Sequence, residues 1–203
     1  MILDKRADLR HGDVKKLLFS LSVPTITSQI VNMLYNLVDR VFIGHMQPAE
    51  TVGKLALTGV GVCLPIIMVI SAFASLMAIG GAPRASIAEG AGESEKSERI
   101  MGNCLTMLVI TALVLTVLFE SFAEPLLLMF GASENTIGYA LDYMRIYALG
   151  TIFVQLTLGM NAYITAQGFA TVSMKTVLIG ALLNTALDPL FIFVLGLGVR
   201  GAA

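Results

Sequence analysis

Five polar residues in the first apolar stretch, Thr25, Gln29, Asn32, Asn36 and Asp39, recur at spacings of four, three, four and three. At about 100° per residue they fall within roughly 80° of one helix face. Polar groups inside a membrane span are costly and face protein or water. Hydrogen-bond glue between helices, worth about 0.6 kcal/mol per contact, is the plain alternative. Five aligned groups ending in an acid favour a hydrated cavity. Amide oxygens and a carboxylate suit a proton or a hard cation and can line a path for a polar solute. Pro24 removes a backbone donor near the start of this helix and permits a bend. Arg40 follows Asp39, but adjacent helical residues point about 100° apart and do not face each other.

A second constellation stands near the other end of the chain. Asn184 and Asp188 are an i, i+4 pair on one face, and Pro189 follows. Residues 176–187 and 189–199 carry no charge, so Asp188 lies deep in an apolar stretch. A lone carboxylate there must be protonated, paired or ion-bound. Pro189 cannot donate to the carbonyl of Thr185, which predicts an oxygen-rich, locally opened helix. A third set, Tyr139, Tyr143, Gly150, Thr157 and Asn161, falls within about 40° of one face of the helix predicted over 136–167. Tyr139 and Tyr143 fit an aromatic belt as well as a site, and Asn161 lies deeper. Asp142 and Arg145, at i, i+3, are expected to form an ordinary ion pair.

The elements that must hold these residues are membrane helices. Of the 203 residues 56% are hydrophobic and only 13% charged, about half the share usual in a soluble domain. Residues 17–38, 55–83, 100–119 and 146–174 are free of charge, and each run exceeds the roughly 18 residues a span requires. These runs are too long for barrel strands, and lipid then leaves only helices. Five spans are predicted, at about 15–43, 53–83, 98–122, 136–167 and 171–196, after a cytoplasmic N-terminal tail over 1–14. Residues 15–203 form one transmembrane lobe, expected to stop just before a sixth helix opened by the small residues near Ala203. Ser94 is expected to cap the third helix. Residues between Glu124-Pro125 and Gly131-Ala132-Ser133 are expected to form a short amphipathic connector.

Charge sets the orientation. Lys5, Arg6, Arg10, Lys15, Lys16, Arg84, Lys96, Arg99 and Lys175 fall on one side, and Lys54 and Arg200 on the other. The N-terminus is therefore expected in the cytoplasm. The formal net charge of −1 excludes a nucleic-acid binder. Cys63 and Cys104 lie inside apolar runs and read as packing residues, as do the many Gly, Ala and Ser of the second span. His11 and His45 are isolated. No nucleophile elbow, HExxH or P-loop is present, so the chain is not expected to be an enzyme.

Three segments carry a resemblance. Asn36-Leu37-Val38-Asp39-Arg40-Val41-Phe42-Ile43-Gly44-His45 resembles the multidrug and toxic compound extrusion (MATE) family. So do Gly80-Gly81-Ala82-Pro83 with Ala85-Ser86-Ile87, and Asn184-Thr185-Ala186-Leu187-Asp188-Pro189 with Ile192-Phe193 and Val199-Arg200-Gly201-Ala202-Ala203. The chain is similar to the bacterial multidrug-exporter branch. The resemblance implies the all-α N-terminal lobe of a twelve-helix transporter, whose C-terminal lobe is the expected partner. It also implies export of cationic or amphipathic drugs or toxic organic cations in exchange for Na⁺ or H⁺, across the bacterial cytoplasmic (inner) membrane. Apart from the coupling ion no cofactor is expected.

The family's coupling site would map onto Asp39, Asn184 and Asp188, a Na⁺ site if Na⁺ is the ion, with Tyr143 and Asn161 beside them. The stripe adds Gln29, Asn32 and Asn36, and the fourth span adds Thr157, as residues of the drug cavity. Three other readings make different demands. A lipid-linked sugar flippase of the same superfamily would want a basic cavity, and only Arg40 and Arg145 are basic within these spans. A membrane scaffold would be indifferent to the intramembrane acids. A channel would pass currents far above carrier turnover.

Overall fold

The computed structural model describes residues 13–203. They form six α-helices and, among the described residues, no strand: α1 (Val14–Gly44), α2 (Lys54–Gly90), α3 (Ser94–Met129), α4 (Ile137–Leu149), α5 (Thr151–Ala166) and α6 (Ala170–Pro189). Four helical stretches are long and apolar enough to cross a membrane, and α4 with α5 make a fifth, broken span. The chain is a multi-pass, all-α membrane protein. The tail expected over 1–14, with Lys5, Arg6, Arg10 and His11, lies outside the described residues but for its last two.

The helices end where glycine lets them. Gly92, Gly131 and Gly168 have φ of 82°, 101° and 89°. In each case the next amide reaches back five residues, Glu93 to Ala88, Ala132 to Leu127 and Phe169 to Ile164, at 2.9, 2.9 and 3.1 Å. This left-handed cap satisfies carbonyls that the helix leaves over. It also corrects two expected boundaries. α2 does not stop at Pro83 but runs to Gly90. The connector expected after Glu124 is the last part of α3, which bends at Phe122 (φ −119°, ψ 20°), three residues before Pro125; proline withholds a ladder hydrogen bond there. Ser94 is not the cap of α3. The Glu93 carbonyl accepts from the amides of Lys96 and Ser97, both at 3.1 Å, so Ser94 is already helical.

α1 passes through Pro24 unbroken. The hydroxyls around the proline turn back onto carbonyls one turn earlier: Thr25 to Leu21 at 2.7 Å, Thr27 to Val23 at 2.8 Å and Ser28 to Pro24 at 2.9 Å. Thr25 therefore spends its hydroxyl on its own helix rather than on a cavity.

The fourth span is not one straight helix. The chain turns by 57° between α4 and α5, with Gly150 at the break. Carbonyls at a break in lipid need donors. Thr116 supplies one to Ala148 at 3.0 Å, Thr151 one to Tyr147 at 3.3 Å, and the Gly150 amide bonds Ile146 at 3.0 Å. After Pro189 the ladder widens to a π-helical turn, Leu190–Val194, closed by the Leu195 amide on Leu190 at 2.9 Å. Gly196 and Gly198, both with positive φ, then lead into a 3₁₀ turn at Gly198–Gly201.

Two compact units divide the chain. The first holds the described residues up to Asn32, Ser71–Thr111 and Phe153–Gly180, and the second Met33–Ile70, Ala112–Ile152 and Ala181–Ala203. In the first, Ala82, Ala85 and Tyr163 are buried among Ile100, Met101, Cys104 and Met160. Gly81 is needed there, because a Cβ would fall on the Tyr163 hydroxyl and the Cys104 thiol. Ser86 donates to the Ala166 carbonyl at 2.8 Å. In the second, Gly59 admits the backbone of α4 at Ala140 and Thr136, and the buried Cys63 thiol reaches the Ala140 carbonyl at 3.4 Å. Outside these cores leucine, isoleucine, phenylalanine and methionine side chains face outward along α1, α2 and α3, as lipid contact requires.

Candidate functional site

Five of the nine predicted site residues, Asn36, Asp39, Tyr143, Asn184 and Asp188, belong to the second unit. Gln29, Asn32, Thr157 and Asn161 belong to the first. The helical period places Asn184 one turn before Asp188, and its amide donates to Asp188 Oδ1 at 3.0 Å. Asp188 is only 3% exposed. Its other oxygen, Oδ2, is buried without a donor, and so are Asn184 Oδ1 and Asp39 Oδ1. Asp39 lies within electrostatic reach of Asp188 and Arg40, and Tyr143 within reach of Asp39.

Three acceptor oxygens of one unit thus lack hydrogens. Leaving a buried acceptor unsatisfied costs about 1–3 kcal/mol, more when it is charged. A proton or a hard monovalent cation removes that penalty, and carboxylate with amide oxygen is a donor set that fits either.

Tyr143 is buried and stacks on Tyr147 with ring centroids 6.0 Å apart and planes at 17°. Tyr35 is hydrogen-bonded to Asn36. The sequence reading passed over Tyr35 and Tyr147; the second lies one turn from Tyr143, a signal it held. It also passed over Gln155, fully buried in α5, although an amide inside a charge-free run was visible. Glu120, with a buried oxygen lacking a donor, served only to mark the end of a run.

In the first unit Gln29 and Thr157 are exposed, and Asn32 and Asn161 half-buried. Asn161 Oδ1 has no donor. The shared face proposed for Tyr139, Tyr143, Thr157 and Asn161 does not survive the break at Gly150, because angular arithmetic holds only along one helix axis. The expected pair of Asp142 with Arg145 is also replaced. Asp142 Oδ1 accepts from Arg200 at 2.7 Å, 58 residues away, and that bond raises the Arg200 guanidinium above its ordinary pKa.

Long apolar helices that satisfy their own backbone in lipid define a multi-pass membrane protein. The MatE family profile matches residues 24–190, and the chain belongs to that family, whose members are transporters and not enzymes. It is similar to the multidrug export protein MepA of Staphylococcus haemolyticus (strain JCSC1435), 29% identical over 193 residues, covering 95% of this chain and 42% of the relative. A crystal structure of MATE in the straight conformation matches with a TM-score of 0.87 at 28% identity, over 98% of this chain and 43% of that one. One in the bent conformation matches at 0.85 and 29%, over 95% and 42%. The chain spans about two fifths of the length of the curated relatives it matches.

Proposed function

We propose that this chain is the ion-coupling lobe of a multidrug exporter that releases cationic or amphipathic compounds in exchange for Na⁺ or H⁺. The observation that carries this reading is the set of three donor-less oxygens on Asp39, Asn184 and Asp188 within one compact unit. The relatives' name, multidrug export protein, supports multidrug export. The distribution of Lys and Arg supports a cytoplasmic N-terminus in a bacterial inner membrane.

The ion joins the acids in the state open to the outside and changes the charge that the cavity presents to a cationic drug. A ligand shifts two conformations only through its different affinity for them. Carboxylates wetted in one state and dry in the other provide that difference. Pro24, where the ladder lacks one hydrogen bond, is the place for α1 to bend. Tyr143 holds the edge of the acid site, while Gln29, Asn32, Asn36, Thr157 and Asn161 offer polar contacts to drug or ion.

The test is Asp188→Asn in the full-length transporter. Drug-dependent dye efflux from cells should be lost, with membrane insertion and protein level unchanged. Normal efflux in that variant overturns the reading. Imposed Na⁺ and pH gradients in proteoliposomes then decide which ion drives the exchange.

A further inference from the structure

The second half of α2 and the first turns of α3, both in the first unit, enclose a cleft of about 730 Å³ that the transport reading does not use. Its floor is cut by Gly80 and Gly81. A Cβ at Gly80 would meet nothing within 4 Å, whereas Gly81 is backed by Tyr163 and Cys104. One end is mostly apolar, lined by Leu76, Met77 and Ile100 with Asn103 beside them. The other carries Arg84, Lys96 and Glu93. Lys96 and Glu93 pair with each other at 2.7 Å. Arg84 is exposed and has no ion pair or hydrogen bond among the described residues.

Position along the helix adds the second argument. The charge-free run 55–83 ends one residue before Arg84, so the guanidinium is the first charge met at this end of the span. Leu76 lies eight residues deeper, about 12 Å along the axis. The cleft therefore offers a cation unpaired among the described residues at the charged end of the span, and a trough opened by Gly80 between apolar side chains deeper in it. A soluble anion would leave the trough unused, and a zwitterionic lipid would leave Arg84 without its net partner.

We infer that this cleft binds a phospholipid with an anionic headgroup. The phosphate lies on the Arg84 guanidinium, whose planar fork suits two phosphate oxygens. Lys96 stands at the rim, and one acyl chain runs over Gly80 towards Leu76 and Met77. The site is independent of Asp39 and Asp188, so it stands or falls apart from the transport reading.

The experiment uses the full-length transporter in detergent, with lipid binding read by native mass spectrometry. Phosphatidylglycerol should bind at least fivefold more tightly than phosphatidylcholine with the same chains. Arg84→Gln should abolish that preference. Gly80→Leu, which fills open space rather than packed core, should weaken both lipids at least fivefold. A phosphatidylglycerol with a photoreactive acyl chain should label the peptide containing Met77 in the parent and not in Gly80→Leu. Both variants should keep the parent's elution and thermal midpoint.

An undiminished preference in Arg84→Gln overturns the inference. Full competition by glycerol 3-phosphate overturns it in favour of a soluble-anion site. Unchanged lipid binding and labelling in Gly80→Leu overturns it too.

Discussion

The side-chain amide of Asn184 donates to Asp188 Oδ1 at 3.0 Å, one turn apart on α6, and leaves Asp188 Oδ2 and its own carbonyl oxygen without donors. In the proposed coupling site this bond would hold the carboxylate with its free oxygen open to the driving ion. A hydrogen bond to a charged group contributes about 1.5–3 kcal/mol, and 1.4 kcal/mol corresponds to about tenfold in affinity. Asn184→Ala should therefore raise the half-saturating concentration of the driving ion by about tenfold or more in proteoliposome exchange. An unchanged ion dependence would remove Asn184 from the site.

Asp39 lies within electrostatic reach of Asp188. Groups acting on one guest are not additive. Asp39→Asn and Asp188→Asn should each abolish coupled efflux, and the double variant should be no worse than either alone. Independent, multiplying losses would mean two separate sites.

Adjacent glycines in α2 should behave oppositely. Gly81→Ala drives a methyl into the Tyr163 hydroxyl and the Cys104 thiol, whereas Gly80→Ala meets open space. Overpacking of this kind costs about 1–3 kcal/mol. Gly81→Ala should lower the thermal unfolding midpoint, Gly80→Ala should leave it unchanged, and Tyr163→Phe added to Gly81→Ala should recover part of the loss. Equal midpoints for the two single variants would contradict the packing described.

The break in the fourth span depends on a donor from α3. Thr116→Val removes the 3.0 Å bond to the Ala148 carbonyl while keeping the side chain's shape. The expected loss is about 1 kcal/mol, read as a lower thermal midpoint and faster amide exchange around Gly150. Unaltered exchange there would mean that the break is held by Gly150 and Thr151 alone.

The sequence by itself determined that five spans exist, and it located the acids. In lipid every backbone group must be paired within the segment, so a charge-free run of sufficient length has little choice but to be a helix. The same local period makes Asn184 and Asp188 neighbours. Only the tertiary structure decided what the period cannot reach. The fourth span is two helices bent by 57° at Gly150 and not the one helix that the face arithmetic assumed. Asp142 finds Arg200, 58 residues away, in place of Arg145 three residues away. Gly81 is closed by Tyr163 and Gly80 is left open. Each of these depends on which atoms of another element come within a few ångströms, and sequence spacing along one helix does not carry that information.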